Sequence, residues 1–547
     1  MQQMTEQHLT TATAQLDAAH VGDIQGAWGT LSQTTQPPRR GWLKRLIALL
    51  IIMGPGLVTM IGDNDAGGIA TYTQAGQNYG TSLLWTLLIL IPVLIVNQEM
   101  VARLGAVTRV GHARLIFERF GKFWGAFSFF DLFLVNYLTL VTEFIGFAMA
   151  LNYFGVSPLI SIPVGILGLI AIVLTGSFRR WERVMWINCL VSLLMIPIAL
   201  LPHPAWGPIL HDTFVPGVAG GLNGNALLTI IAIVGTTVAP WQLFFQQSNV
   251  VDKRITSRWL SYERLDTIIG SILTNIEAAG LIIAAAFALA GTRYFGNFID
   301  AGTTARAYAA LGHPLMGALL MIILLNASIL GACAVTLSTA YAVGDVFSVA
   351  HSLHRRFHEA RLFYSVYILL IVLAGGLVLI PNAPLGLLTF AVQALAGILL
   401  PSATVFLVLL CNDRAVLGPW VNRFWLNAVA AVIVGLLVAL SFILAMTTLF
   451  PAVDAMLLTR VVFALLLAAL VVLGLLAAVR RLRRGSDPEL AALLQMKKED
   501  WQMPPLQEIP RPAWSLTRWV GMVTLRAYLI VAIVLLVVKV VELALGH

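Results

Sequence analysis

The sequence predicts an all-α polytopic membrane protein: an inverted five-plus-five helix repeat with its first and sixth helices broken, plus about three extra C-terminal helices. Three observations carry this. Of 547 residues, 59% are hydrophobic and 11% charged, against about 25% charged in soluble domains. Thirteen stretches approach the roughly 20 apolar residues that span a bilayer. Two of these, the first and the sixth, are interrupted in mid-span by glycine, proline and polar residues.

Taken in order, residues 1–37 are polar and rich in Gln, Thr and Ala. They read as a disordered tail without the layout of a signal peptide. The candidate spans lie near 46–70, 82–102, 124–152, 158–176, 184–201, 225–248, 266–290, 314–345, 362–380, 386–411, 425–450, 457–480 and 521–545. The even-numbered connections are basic, for example Arg179, Arg180 and Arg183 in the fourth and Lys253, Arg254, Arg258 and Arg264 in the sixth. The positive-inside rule makes these cytoplasmic and places the N-terminus inside. Residues 38–412 are expected to form a ten-helix transport core, its repeats near 43–201 and 225–412. Residues 413–547 would be peripheral helices, with a cytoplasmic linker over about 480–520.

The net charge of +8 falls in short connections, so it points to membrane topology and not to nucleic acid. Cys189, Cys333 and Cys411 lie in or beside apolar segments and form no CxxC pair or disulfide framework. No nucleophile elbow, Walker loop, zinc helix or dinucleotide fingerprint stands in a supporting context. An enzyme, a cofactor and a bound nucleotide are therefore not expected. Any uphill driving force must come from an ion gradient or the membrane potential. The expected partners are a small substrate and the lipid bilayer, and a monomer is expected.

The first break runs from Gly54-Pro55-Gly56 through Gly62-Asp63-Asn64-Asp65 to Gly67-Gly68. Carboxylates at such depth are costly and mark function. Open backbone there is tolerated only where protein or a wet cavity satisfies it. Asp63 and Asp65 are hard oxygen donors two residues apart, which on unwound backbone can address one ion. Such donors suit Mg, Ca and Mn. The second break is Gly235-Thr236-Thr237-Val238-Ala239-Pro240-Trp241-Gln242, where Pro240 removes a helix hydrogen bond. Five spans separate the breaks, so the two helices run antiparallel, the sign of an inverted repeat with its site at the interface.

Freed carbonyls at Gly62 and Thr236 are further expected donors. Asn64 either faces the site or caps a half-helix. Gln393, within Thr389-Phe390-Ala391-Val392-Gln393 of the tenth span, offers an amide oxygen or an interhelical hydrogen bond. Gln242, Gln246 and Gln247 line a wet path or join helices. Glu143 is expected to hold a salt bridge within the bundle, with a place on the pathway as the alternative. Glu277 and Asn275 read similarly. Glu99 and Arg103 are spaced as an i,i+4 pair. His351, His354 and His358 read as a solvated basic loop.

The stretch Gly54-Pro55-Gly56 to Gln74-Ala75-Gly76 resembles the first-helix signature of the Nramp divalent-metal transporters. Leu140 to Gly146, Val234 to Gln247, and Gln393 with Leu400-Pro401-Ser402-Ala403 resemble that family's third, sixth and tenth helices. The resemblance implies a LeuT-type fold with the metal held between broken helices 1 and 6. Asp65 takes the place of the family's metal-binding Asp, and Gly68 replaces its Asn. Asp63 is an added carboxylate. Ala239 and Trp241 stand where Met and His are usual, Gln246 replaces a second His, and Leu140 replaces the Asp associated with proton movement, while Glu143 is kept. This pattern resembles the Nramp-related magnesium transporter branch.

The resemblance implies Mg²⁺, and also Mn²⁺, as substrate, carried without proton symport across a bacterial-type inner membrane. Its expected metal residues are Asp63, Asp65, Gly62, Asn64, Thr236, Ala239 and Gln393. Gly68, Trp241, Gln242, Gln246 and Glu143 are expected on the pathway or behind the ligands. The alternatives are a proton-coupled Mn²⁺/Fe²⁺ symporter, an amino-acid or other organic-solute transporter on the same fold, and, more remotely, a metal sensor.

Overall fold

The computed structural model describes residues 17–380 apart from 34 and 39, residues 385–483 apart from 451 and 452, and then 498, 501–509, 519, 521–523, 525 and 526. Twelve of the thirteen expected spans coincide with helices; most of the thirteenth, 521–545, and most of the 480–520 linker lie outside the described residues.

The first span is assembled from three pieces: α1 (Trp42–Ile52), α2 (Pro55–Ile61) and α3 (Ala66–Tyr79). The expected break falls between α2 and α3. A second one, not foreseen, bends α1 from α2 by 59°. It sits at Gly54, whose φ of 155° suits glycine. A Cβ there would also lie 2.1 Å from Glu182 Oε1.

The helices that follow are α4 (Leu84–Thr108), α5 (His112–Phe120), α6 (Lys122–Tyr153), α7 (Pro158–Val173), α8 (Phe178–Ser192), α9 (Met195–Leu200) and α10 (Trp206–Phe214). The sixth span is α11 (Gly224–Thr237) and α12 (Pro240–Asp252). Pro240 takes the first helical position of α12, where its missing N–H costs nothing. Then come α13 (Leu260–Leu289), α14 (Ala301–Ala310), α15 (Pro314–Phe347), α16 (Arg361–Val378), α17 (Leu385–Cys411), α18 (Arg414–Leu417), α19 (Phe424–Leu449) and α20 (Ala455–Arg483). Helix α13 packs along α2 and α3, α15 along α6, and α17 along α11, so the two broken spans are enclosed. Helix α20 lies at the rim against α19, with Leu457, Val461 and Leu465 exposed.

Residues 1–16 of the expected disordered tail lie outside the described residues; Asp17 to Gln33 are ordered. The antiparallel strands β1 (Ile24–Gly26) and β2 (Gly29–Leu31) form a hairpin docked on the face that carries the basic connections. The polar composition misled because these residues bond to protein and not to water. The Ala27 N–H donates to Glu182 Oε2 at 2.5 Å, Arg183 Nε donates to the Ala27 carbonyl, and Asp17 pairs with Arg355 at 2.6 Å.

Beneath the hairpin is a buried ionic joint. Lys253 Nζ meets Glu182 Oε1 at 2.5 Å and donates to the carbonyls of Ile52 and Met53, at the end of α1. Asp266 accepts from the N–H groups of Gly54, Gly56 and Leu57, the open donors at the start of α2. The expected Glu99–Arg103 pair is present at 3.3 Å. The histidine loop is not solvated throughout: His351 is buried on Asp345 at 3.2 Å, His354 stacks on Phe178, and His358 is exposed.

Removing one partner of a buried pair leaves the other charge uncompensated, at roughly 3–5 kcal/mol. Lys253→Met is expected to lower stability by about that much in thermal unfolding, and adding Glu182→Gln should recover most of the loss. Burial alone would lower the His351 pKa, but the hydrogen bond and charge of Asp345 raise it to about 8. A group raised above its ordinary value stabilises while protonated. The His351–Asp345 contribution is therefore present below the ordinary 6.5 and lost as pH rises through about 8. Melting temperatures across that window should show the loss, and His351→Gln should remove this part of the pH dependence.

Candidate functional site

The two breaks face each other. An ideal Cβ on Gly68 would lie 3.0 Å from the Asp63 carbonyl oxygen and 3.0 Å from Thr236 Oγ1, so the missing side chain lets the broken spans meet. Trp241, the second residue of α12, reaches back until its ring edge is 3.4 Å from where a Gly62 Cβ would be. Tyr72 hydroxyl and Thr237 Oγ1, 2.8 Å apart, tie α3 to α11.

Each residue of the first break has a definite task. Gly62 ends α2, its N–H donating to the Val58 carbonyl at 2.9 Å. Asp65 caps α3: its Oδ1 accepts from the Gly68 N–H at 2.7 Å, the side-chain cap that a helix start favours. Asp63 is buried, neither of its carboxylate oxygens has a hydrogen-bond partner of good geometry, and the Gln242 amide approaches it. Gln242 Oε1 in turn accepts from Gln98 Nε2 at 3.1 Å.

Gln393 of α17 lies against the same break. A Cβ on Gly67 would fall 1.7 Å from Gln393 Nε2, so the amide fills the space that this glycine vacates at the start of α3. Helices α11 and α17 touch backbone to backbone, a Gly235 Cβ falling 2.3 Å from the Gly397 nitrogen. Ala239 precedes Pro240 in extended conformation and is buried.

Three expected placements need correction. Glu143 holds no salt bridge. Its Oε2 accepts from the Ala66 N–H at 3.2 Å, and its carboxyl lies beside that of Asp65. Both groups sit at the start of α3, where acidic oxygens are favoured. Asn64 turns its amide nitrogen into α13, donating to the Thr274 carbonyl and Glu277 Oε2, both at 3.0 Å, leaving only Oδ1 for anything else. Gln246 is one turn too far along α12 to reach the break. Its amide donates to Thr267 Oγ1 at 2.9 Å and Glu263 Oε1 at 3.3 Å.

Among buried side-chain atoms without a hydrogen-bond partner, a group gathers at this crossing: both Asp63 oxygens, Asn64 Oδ1, Glu143 Oε1 and Thr236 Oγ1, with the Gln242 and Gln393 amide nitrogens. Leaving such an atom unmet costs about 1–3 kcal/mol. Five oxygens in that condition are a fit for a hard cation. Among the described residues, no three His, Cys, Asp or Glu side chains are placed to hold a metal by themselves. Coordination here therefore needs carbonyl, hydroxyl or amide oxygens, or water.

A narrow cavity of about 20 Å³, room for roughly a single water, leads away from the basic face, lined by Ala66, Thr142, Gly146, Asp300, Thr389 and Phe390. It ends one residue from Asp65. Sequence reasoning took Lys253 only as a charge of the sixth connection, and it missed Glu182, Asp266, Gln98 and Asp131. The Asp131 carboxylate accepts from Ser402 Oγ at 2.7 Å, joining α6 to α17.

A buried acidic crossing of two broken spans, entered through a cavity, defines a membrane transporter. Residues 56–447 match the family described as natural resistance-associated macrophage protein-like, or Nramp, and the chain belongs to that family. It is similar to the divalent metal cation transporter MntH of Lacticaseibacillus casei, with 28% identity over 432 residues covering 76% of this chain and 92% of that protein. To MntH of Bacillus subtilis it is 27% identical over 433 residues, covering 76% and 97%. Its fold is that of the Eremococcus coleocola manganese transporter, crystallised with an aromatic bis-isothiourea substituted compound. That match has a TM-score of 0.62 and 19% identity, over 84% of this chain and 98% of the other. The relatives are named as transporters, and this chain is a transporter and not an enzyme.

Gly67→Ala forces Gln393 off the start of α3. Overpacking of this kind costs typically 1–3 kcal/mol. The variant is expected to unfold at lower temperature, and Gln393→Ala in the same chain should restore the melting temperature but not transport.

Proposed function

We propose that the protein takes up Mg²⁺, and also Mn²⁺, by alternating access without proton symport. Its class as a divalent metal cation transporter follows from the family. The observation that carries the finer reading is Asp63: a second aspartate at the break, with neither oxygen in a good hydrogen bond, while alanine stands at 239 where the family resemblance implies a thioether. Mg²⁺ prefers oxygen ligands and keeps several of its waters. Ala239 is small, which leaves room for a partly hydrated ion, whereas Gly68 is small because the two broken spans close on it.

In this reading Asp63 and Asp65 are the primary ligands. The Gly62 carbonyl, Thr236, Asn64 Oδ1 and Gln393 complete the shell, partly through water. Trp241 and Gln242 wall it, and Gln242 steadies Asp63. The basic face is cytoplasmic, and the membrane is a bacterial-type inner membrane. An inward-negative potential of about 100 mV supplies roughly 4.6 kcal/mol for a divalent cation, at about 2.3 per charge, so uptake needs no second ion.

One observation favours a second reading. Glu143, a buried titratable group beside Asp65, is placed to carry a proton alongside the metal. Against it stand Leu140, Trp241 and Gln246, which are not titratable at the positions where the family's other expected proton carriers would be.

Uptake into proteoliposomes with internal pH monitored separates the two. The expected result is Mg²⁺ and Mn²⁺ entry, driven by a negative interior, with no internal acidification. Asp65→Ala should abolish entry, and Ala239→Met should shift preference towards Mn²⁺. Acidification that follows metal entry would establish the proton-coupled reading instead, and unchanged Mg²⁺ uptake in Ala239→Met would sink the account of the cavity.

A further inference from the structure

We propose that residues 17–33 are a latch that holds the basic face of the transporter shut and must leave its socket before the cation exits there. The inference rests on the transport reading above but not on which cation is carried.

The route from the crossing to the basic face is closed beneath the hairpin. Trp241, Gln246 and Lys253 are each 0% exposed and Glu182 is 1% exposed. The element that would have to move is the joint between α1 and α2, because α2 carries the binding segment at its far end. That joint is what the hairpin lies on. An ideal Cβ at Gly26 would fall 2.0 Å from the Ile51 carbonyl oxygen, so β1 touches α1 backbone to backbone.

The chain of bonds is continuous. The Ala27 N–H holds Glu182 Oε2, Glu182 Oε1 holds Lys253, and Lys253 grips the last carbonyls of α1. Around its perimeter the segment is tied to three further places. Arg179 Nη2 donates to Thr30 Oγ1 on the α8 side, and Arg254 Nε donates to the Ala19 carbonyl from the connection after α12. Asp17 takes both the Arg355 guanidinium and the His351 N–H from the connection after α15.

These elements come from both halves of the repeat. A rearrangement that separates them must break the segment's bonds or carry it away whole. Most of those bonds join a side chain to backbone at the edge of the socket, each worth a net ~0.5–1.5 kcal/mol, and to charged groups somewhat more. The apolar part of the docking is small: Ile24 is buried against Ala48 and Ile52 of α1 with Leu31 packed beside it, and release uncovers that contact along with the bonds. Meanwhile the cavity that reaches Ala66 lies on the opposite face. Among the described residues, the cavity that comes nearest the substrate crossing is therefore on the side away from the strap.

The test is a reversible cross-link. A Cβ at Gly29 would lie 3.2 Å from Ile51 Cγ1, within reach of a disulfide between Gly29→Cys and Ile51→Cys. The native Cys189, Cys333 and Cys411 are buried and free. In liposomes the oxidised double variant should take up Mn²⁺ and Mg²⁺ at least tenfold more slowly than wild type, and a reductant should restore the rate. The cross-link should act alike on both cations, so a mistaken cation preference leaves the result intact. Normal uptake by the cross-linked protein, or failure of the pair to cross-link, would overturn the latch. Should the reduced pair be inactive, Gly26→Val decides: by lifting the hairpin off Ile51 it should speed efflux of preloaded Mn²⁺ at least twofold, and an unchanged rate rejects the proposal.

Discussion

Open backbone in the middle of a membrane has to be satisfied by protein, and this constraint shapes the centre of the molecule. The first span gives up helical hydrogen bonds between Ile61 and Ala66. Side chains supply replacements: Asp65 takes the Gly68 N–H and Glu143 takes the Ala66 N–H. Carboxylates here are therefore structural before they are functional. The break cannot exist without acceptors for its N–H groups, and the acceptors that serve it bring negative charge to the same place. Once those obligations are met, what remains is Asp63 and a handful of oxygens around it.

The contrast with the basic face follows from the same accounting. There, too, carboxylates are buried beside a helix break, but Asp266 is saturated by three N–H groups and Glu182 by Lys253 and Ala27. A buried charge with a full complement of partners has little left for a mobile ion. Glu182, Lys253 and Asp266 accordingly behave as a fastening, while the crossing of the broken spans keeps its acceptors open. Whether an acidic residue at membrane depth serves a ligand or a joint is decided by its unspent lone pairs.

Much of this was legible in the sequence. The spans followed from length and hydropathy, and both breaks from glycine and proline among polar residues, because those residues act on the backbone wherever they fall. The position of Asp63 and Asp65 at one break, with Thr236 and Ala239 at the other, followed from the inverted repeat. What was not legible depends on where a side chain falls along a helix and what lies opposite it. Gln242 and Gln246 share a face of α12 but are one turn apart, so one meets Asp63 and the other Thr267. Asn64 sits between two aspartates and points into α13. Glu143 needed the position of α3 before its partner could be named. The hairpin was missed for another reason. It is short and set within a polar stretch, and its apolar residues are few: Ile24 finds a buried place only because Ala48 and Ile52 of α1 and Val250 of α12 meet it in the fold.

The site's composition also bears on how an ion is held in the reading proposed here. Two aspartates oppose a divalent charge without excess, and among the described residues no third acidic, histidine or cysteine ligand joins them in a metal cluster. An octahedral ion needs six oxygens. Gly67 and Gly68 are locked against Gln393 and Thr236, so the backbone there cannot draw inward to supply more of them. The balance falls to retained water, and water sets a larger effective radius than a bare ion. Selection then depends on the space left by Ala239 more than on ligand identity. A larger side chain there would remove room for hydration before it removed any ligand, which separates the geometry of this site from its charge.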